Sequence, residues 1–149
     1  MTNSFKVSYD QSIGLRKLVE LAVGEQNVGN INSDITQERF SLARTGARKL
    51  NVRVEPYLNG ETSEHAAIRL TAAGHVLANI WDLASFLREH LTEAEKWYWV
   101  VAISEDSRWT DSDGDVFVPC VYVARSYRSF GLRRLCGRLH LGDGVLVIC

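Results

Sequence analysis

"LTAAGHVLANIWDLASFLREHL", residues 70–91, decides how this chain is read. Leu70, Ala73, Leu77, Ile80, Ala84, Leu87 and Leu91 recur at alternating spacings of three and four. Val76, Leu83 and Phe86 widen the stripe. At 3.6 residues per turn these side chains share one helix face. The spacing predicts one long amphipathic helix over about 71–91, central to the domain and packed across a sheet, with Leu77 and Ile80 in its core. The same spacing also suits a dimer seam, but the stripe is wide for two helices and lacks flanking charge pairs. Monomer and homodimer both stay open. His75, Asn79 and Asp82 interrupt the apolar run, and their cost in hydrocarbon argues for a buried helix and against a membrane span.

Strand signals surround this helix. Phe5, Val7 and Tyr9 alternate with polar residues, and Asp10 follows as a cap for a helix that carries Leu15, Leu18, Val19 and Ala22 on one face. Gly24 is its stop, and "NVGNINSD" (27–34) reads as a loop. A shorter helix is expected from Ile35 to Arg44. "KLNVRVEPYL" (49–58) alternates as a half-buried strand, with Leu50, Val52 and Val54 on one side. Asn59-Gly60 favours a tight turn, and "HAAIRL" (65–70) reads as the returning strand. Thr92 and Glu95 form a capping-box pattern for one further helical turn. "WYWVVAIS" (97–104) is apolar on both parities, as a strand covered on both faces should be. "VFVPCVYVA" (116–124) is its partner, expected at an edge or with a bulge because Pro119 has no N–H to donate. "LHLGDGVLVIC" (139–149) closes the chain with a Gly-Asp-Gly turn and a last apolar strand.

The fold these signals imply is α+β: a five- or six-stranded antiparallel or mixed sheet packed against the central helix, with shorter helices, in a single domain over 1–149. That length can bury a core without disulfides or metals. The composition, 46% hydrophobic and 23% charged, is ordinary for a globular protein. A net charge of −1 provides no global attraction to nucleic acid or anionic membrane. The three cysteines, Cys120, Cys136 and Cys149, are widely spaced and form no C-x-x-C, which suits reduced thiols in the cytoplasm. The N-terminus lacks the basic and apolar regions of a signal peptide.

Charge is unevenly distributed. Residues 104–115 carry Glu105, Asp106, Asp111, Asp113 and Asp115 against Arg108. Residues 116–149 carry Arg125, Arg128, Arg133, Arg134 and Arg138 against Asp143. As a short helix from about Phe130, the basic segment would place Leu132, Leu135, Cys136 and Leu139 on one face. Arg133, Arg134 and Arg138 would lie on the other, although Gly131 and Gly137 oppose a helix. Arginine interleaved with Tyr127 and Phe130 suits phosphate contacts and stacking. The arginines are expected to be surface groups that serve recognition, tempered by the acidic loop and dispensable for folding.

"DSDGD" (111–115) resembles the start of an EF-hand calcium loop, but Val116 stands where that loop needs glycine and Tyr122 where it needs glutamate. "SDGDVFV" (112–118) resembles the two-aspartate strand of nucleotidyltransferases, without the upstream Gly-Ser pair. "GLRRLCGRLHLGDGVLVI" (131–148) resembles the helix-then-strand tail of AbrB-like transcription factors over less than a fifth of the chain, and nothing functional is carried over from it. His75 and His90, fifteen residues apart on one helix, would lie about 22 Å apart at ~1.5 Å per residue, too far to share a metal. No H-E-x-x-H, G-x-S-x-G, Walker A or G-x-G-x-x-G motif occurs.

The expected function is that of a small cytoplasmic non-enzymatic binding or regulatory protein. It would recognise an acidic protein surface or a phosphate-bearing partner through Arg125, Tyr127, Arg128, Arg133, Arg134 and Arg138. A protein partner is favoured, nucleic acid or another anion is possible, and no cofactor or membrane is implied. The alternative is a divalent-metal-dependent enzyme acting on nucleotides, with Asp111, Asp113 and Asp115 as ligands.

Overall fold

The structure is a computed structural model that describes residues 3–40 and 47–149. Among the described residues eight strands form one mixed sheet: β1 (Phe5–Asp10), β2 (Ala47–Pro56), β3 (Val76–Leu77), β4 (Val100–Val101), β5 (Trp109–Thr110), β6 (Val116–Ala124), β7 (Tyr127–Arg134) and β8 (Gly144–Ile148). The order runs β1-β2-β8-β4-β6, with β7 on the far side of β6, β3 beside β8 and β5 beside β6. Among the named strands of the described residues β4 and β8 pair in parallel and the other pairs are antiparallel. Helices α1 (Leu15–Val23), α2 (Ser63–Ala72), α3 (Ile80–Glu89) and the single turn α4 (Leu91–Ala94) complete the α+β fold.

The sheet is covered on both sides. Leu15, Leu18 and Val19 of α1 and Leu83, Phe86 and Leu87 of α3 pack with Val7, Val52, Val121, Phe130 and Leu146 on one face. Ala66, Ala67 and Leu70 of α2 pack with Val101, Val118, Cys120, Val145 and Val147 on the other. Alternation along each strand assigns these sides: Val100 faces the first cluster and Val101 the second. The two-sided burial read from "WYWVVAIS" is therefore present, although its ladder is only two residues long.

The single long helix is not. Gly74 sits at φ 90 after α2 has ended at Ala72, and the chain turns back into β3 before α3 begins. Ala73 and Val76 are exposed and Leu77 is half-buried, whereas Ile80 is in the core. Asn79 restarts the helix: its side chain accepts the Asp82 amide, and the Asp82 carboxylate accepts the Asn79 amide. Every residue of α3 from Ile80 to Leu87 is buried, which leaves it no seam for a second copy. His75 and His90 consequently share no helix.

Other expectations shift as well. "HAAIRL" lies within α2, capped by Thr62, and is not a strand. Asp10 caps a short 3-10 turn (Gln11–Ile13) ahead of α1, while Gly24 does end α1. The turn α4 has no side-chain cap, so the Thr92/Glu95 pattern is not used. The helix expected at Ile35–Arg44 is a turn at residues 37–40, and its later residues lie outside those described. β6 is neither an edge nor bulged: its register with β7 runs unbroken through Pro119↔Leu132. The Pro119 carbonyl accepts the Ala102 amide, so the missing N–H falls where the ladder to β4 is already ending.

Both outer strands are sealed by side chains. Along β1, the Ser8 amide donates to Glu89 at 3.0 Å, and His90 Nε2 lies 2.6 Å from the Lys6 carbonyl. Along β7, Asn27 takes the Arg128 amide and donates to the Ser126 carbonyl, Asn30 donates to the Arg128 carbonyl, and the Asn32 amide donates to the Phe130 carbonyl.

Candidate functional site

The basic segment is a strand, not a helix. Tyr127, Ser129, Gly131 and Arg133 face the α2 side of the sheet, while Arg128, Phe130, Leu132 and Arg134 face α1 and α3. Neighbouring arginines therefore point to opposite faces. β6 and β7 are joined by Arg125 and Ser126, with Ala124 opposite Tyr127. Arg125 opens this turn in the left-handed region, at φ 56.

Each arginine has its own surroundings. Arg128 is half-buried, and its Nη1 donates to the Ala22 carbonyl at 3.2 Å, a cation at the C-terminal end of α1. Arg133 reaches within 3.6 Å of the fully buried Asp143 carboxylate and lies 5.6 Å over the Trp99 ring. These two are half-buried groups with partners inside the molecule, contrary to the expectation that all five are surface groups. Arg134 meets Asp115 of the acidic loop at 3.3 Å in an exposed pair. Arg138 donates to the Gly60 carbonyl at 2.9 Å. Arg125 is exposed, its amide donating to Glu95, and its guanidinium makes no ion pair among the described residues.

The acidic loop is self-contained. The Asp111 carboxylate accepts the amides of Asp113 and Asp115, as an aspartate turn does. Asp113 is exposed, and Asp115 faces Arg134. Among the described residues no three His, Cys, Asp or Glu side chains gather as metal ligands.

The strand reading brings together side chains the sequence did not connect. Tyr122 sits on the α2 side of β6, in line with Val118 and Cys120. The hairpin register sets Tyr127 next to it, with centroids 5.9 Å apart. Tyr98 and Trp99 enter from the chain ahead of β4, at 5.4 and 5.2 Å from the Tyr122 ring. Tyr98 is 58% and Tyr127 48% exposed. The cover of α2, Tyr57, Leu135 and Leu139 thus stops short of this end of the sheet, and four aromatic rings line the surface there. Of these only Tyr127 was singled out from sequence. The parity of "VFVPCVYVA" set against a tight turn at Arg125-Ser126 would have paired it with Tyr122.

The floor beneath the rings is firm. Asp143 accepts the His140 amide, and Tyr98 donates its amide to the Gly142 carbonyl, so the Gly-Asp-Gly turn holds the segment ahead of β4 that carries Tyr98 and Trp99. Burial pushes the Cys120 thiol up to about 12 and the Tyr57 phenol above its ordinary range, so neither is an ionised nucleophile at neutral pH. No helix of the described residues is long and apolar enough to cross a membrane. No known protein family matches the chain, and no curated protein or solved structure is similar to it.

Proposed function

We propose that this chain is a small non-enzymatic binding protein, regulatory in role and cytoplasmic, that docks a partner protein on the aromatic end of its sheet. One observation carries this reading: Tyr98 and Tyr127 stand about half exposed beside Tyr122, in a cluster of four rings. Exposed aromatic clusters of this kind are enriched at protein contacts, where they bury large area at low entropic cost. The recognition surface expected around the arginines narrows to Tyr127 and Arg125, with Arg133 held by Asp143 beneath it. Arg125 offers one guanidinium fork to a carboxylate or phosphate beside the docked segment. Arg134 and Arg138 lie outside the cluster and Arg128 serves α1. Unbridged Cys120, Cys136 and Cys149 suit a reducing compartment.

Affinity capture from the native host tests this reading, with wild type and the double variant Tyr98→Ala, Tyr127→Ala as baits. A dominant protein retained by wild type and lost from the variant supports it. Equal retention by both, with the variant folded, places the contact surface elsewhere.

A further inference from the structure

We infer that the cleft between α2 and the 104–108 segment is a second docking site, which rests on no part of the binding reading above. Its occupant is a short extended segment of another protein, bound as one added strand on β3, with an apolar residue opposite Leu77 and a lysine or arginine next to it. The unused hydrogen bonds of β3 are the first argument. β3 pairs with β8 on one side only. The Asp143 carbonyl accepts the Tyr57 amide and the Cys149 amide donates to the Asn51 carbonyl, so odd-numbered residues of this stretch bond toward β2. Gly144 donates to the Trp99 carbonyl and Leu146 accepts the Ala78 amide, so even-numbered residues bond toward β4 and β3. This alternation gives Val76 and Ala78 to β8 and turns the Leu77 amide and carbonyl away from it. Among the described residues no protein group pairs with either. The side chains nearest in sequence to the opposite wall are engaged elsewhere: Ser104 donates to Asp106, and Arg108 to the Ile103 carbonyl. An unpaired backbone donor and acceptor on one strand rim are what an incoming strand satisfies. A proline opposite Leu77 would bring no N–H for its carbonyl.

The space beside Leu77 is the second argument. A cleft of about 730 Å³ is lined by Ala67 and Ile68 of α2, Val76 and Leu77 of β3, and Glu105 and Arg108 opposite. Ile68 is 63% and Val76 59% exposed, so apolar surface is left open on two walls. Leu77 packs on the α2 side of the sheet, and a residue opposite it turns its own side chain to that same side, against Ala67 and Ile68. The wall of α2 from Glu64 to Thr71 runs about 10 Å at ~1.5 Å per residue, the length of about three strand residues. Ser104 closes the rim at Ala78 by donating its amide to that carbonyl. The site therefore takes one short segment and is no template for a growing sheet.

Charge complementarity is the third. Glu64 on α2 and Glu105 across the cleft are exposed, and neither carboxylate has an ion pair among the described residues. Arg108 turns two of its donors onto the Ile103 carbonyl, at 3.1 and 3.3 Å, and His75 lies between Arg53 and Glu55. Two unmatched carboxylates on facing walls favour a cation on the segment and reject an acidic one.

Subtractive selection from a displayed library of random peptides of about ten residues tests the inference, because added strands bind as short autonomous motifs. The library is depleted first on Ile68→Lys, which fills the cleft and removes peptides bound anywhere else, and then selected on wild type. Thermal unfolding reports whether the exposed Ile68→Lys variant is folded; Thr71→Arg, on the same wall, replaces it if it is not. Enriched peptides are expected to carry an apolar residue with lysine or arginine within two positions of it. A synthetic peptide of that sequence should lose about tenfold in affinity on N-methylation at one backbone position. Glu64→Gln with Glu105→Gln should lose about two- to fivefold, and less at high salt. The Leu77 amide should exchange with solvent freely in the protein alone and become protected in the complex. No enrichment, enrichment of acidic or uncharged peptides, indifference to N-methylation at every position, or an unprotected Leu77 amide each overturns the inference. Self-association of wild type that Ile68→Lys abolishes would seat a second copy in the cleft and overturn it as well.

Discussion

Arg133 places its guanidinium 3.6 Å from the carboxylate of Asp143, which has no exposed side-chain surface. The pair links β7 to the turn before β8, and Arg133 is itself only 23% exposed. Removing one partner of a buried pair leaves an uncompensated charge, at a cost of about 3–5 kcal/mol. Arg133→Ala is therefore expected to destabilise the protein by several kcal/mol in denaturant unfolding. Arg134→Ala, which breaks only the exposed pair with Asp115, should cost about 0–1 kcal/mol. Equal effects of the two substitutions would contradict the assignment of Arg133 to the interior.

Gly144 has no room for a side chain. A Cβ there would stand 2.2 Å from Val54 Cγ1 and 2.9 Å from the Trp97 ring. Gly144→Ala should destabilise by about 1–3 kcal/mol or more through overpacking between β2 and β8. Urea unfolding reads the change directly, and a neutral result would mean that the two strands can separate freely.

Thiol labelling separates the cysteines. Cys120 is buried and its thiol is pushed up to about 12, so a thiolate-selective reagent should leave it untouched in the native state. Cys136 and Cys149 are exposed and should react. Mass spectrometry should show two modified thiols in buffer and a third only in denaturant. Native labelling of Cys120 at the rate of the others would show that the β6–β7 hairpin opens readily.

Asp82 makes stability depend on pH. Burial raises its carboxyl above the ordinary carboxylate range, although the Asn79 amide and the Tyr9 hydroxyl, 2.7 Å away, oppose the shift. A raised folded-state value means that the fold favours the protonated acid. The contribution is full below the unfolded carboxylate range and is lost as pH rises through the folded value. Asp82→Asn retains a neutral side chain at every pH, and the Tyr9 hydroxyl can turn to accept from it. The melting temperature of wild type minus that of the variant should therefore fall as pH rises from acid to neutral. A difference that grows with pH would show that the hydrogen bonds outweigh the burial.

Much of the sheet was legible in the chain, because period-two alternation at Phe5–Tyr9 and Leu50–Val54 is produced by the same one-sided burial it predicts. The long helix misled because an α2 stripe ending at Leu70 and an α3 stripe beginning at Ile80 fall in helical phase by coincidence. Gly74, and the Asn79…Asp82 capping pair, were the local signals against it. The arginine segment misled for another reason. In β7, an outer strand, Arg133 is drawn inward by Asp143, ten positions away, and Arg128 by the end of α1, over a hundred positions away. No local pattern contains those partners. The aromatic face was hidden in the same way, since Tyr98 and Trp99 meet Tyr122 only after β4 and β6 pair.

The side chains that seal β1 and β7 bear on how the protein ages in concentrated solution. Growth of a continuous intermolecular sheet needs a bare strand rim, and here Glu89 and His90 occupy one and the asparagines of the 27–32 segment the other. A second copy cannot simply be added; a seal must first detach. The onset of fibril formation should then follow the frequency of that local detachment more than the number of collisions. Cutting a seal, as Asn27→Ala would, should shorten the lag at fixed concentration, whereas doubling the concentration of the intact protein should change it little.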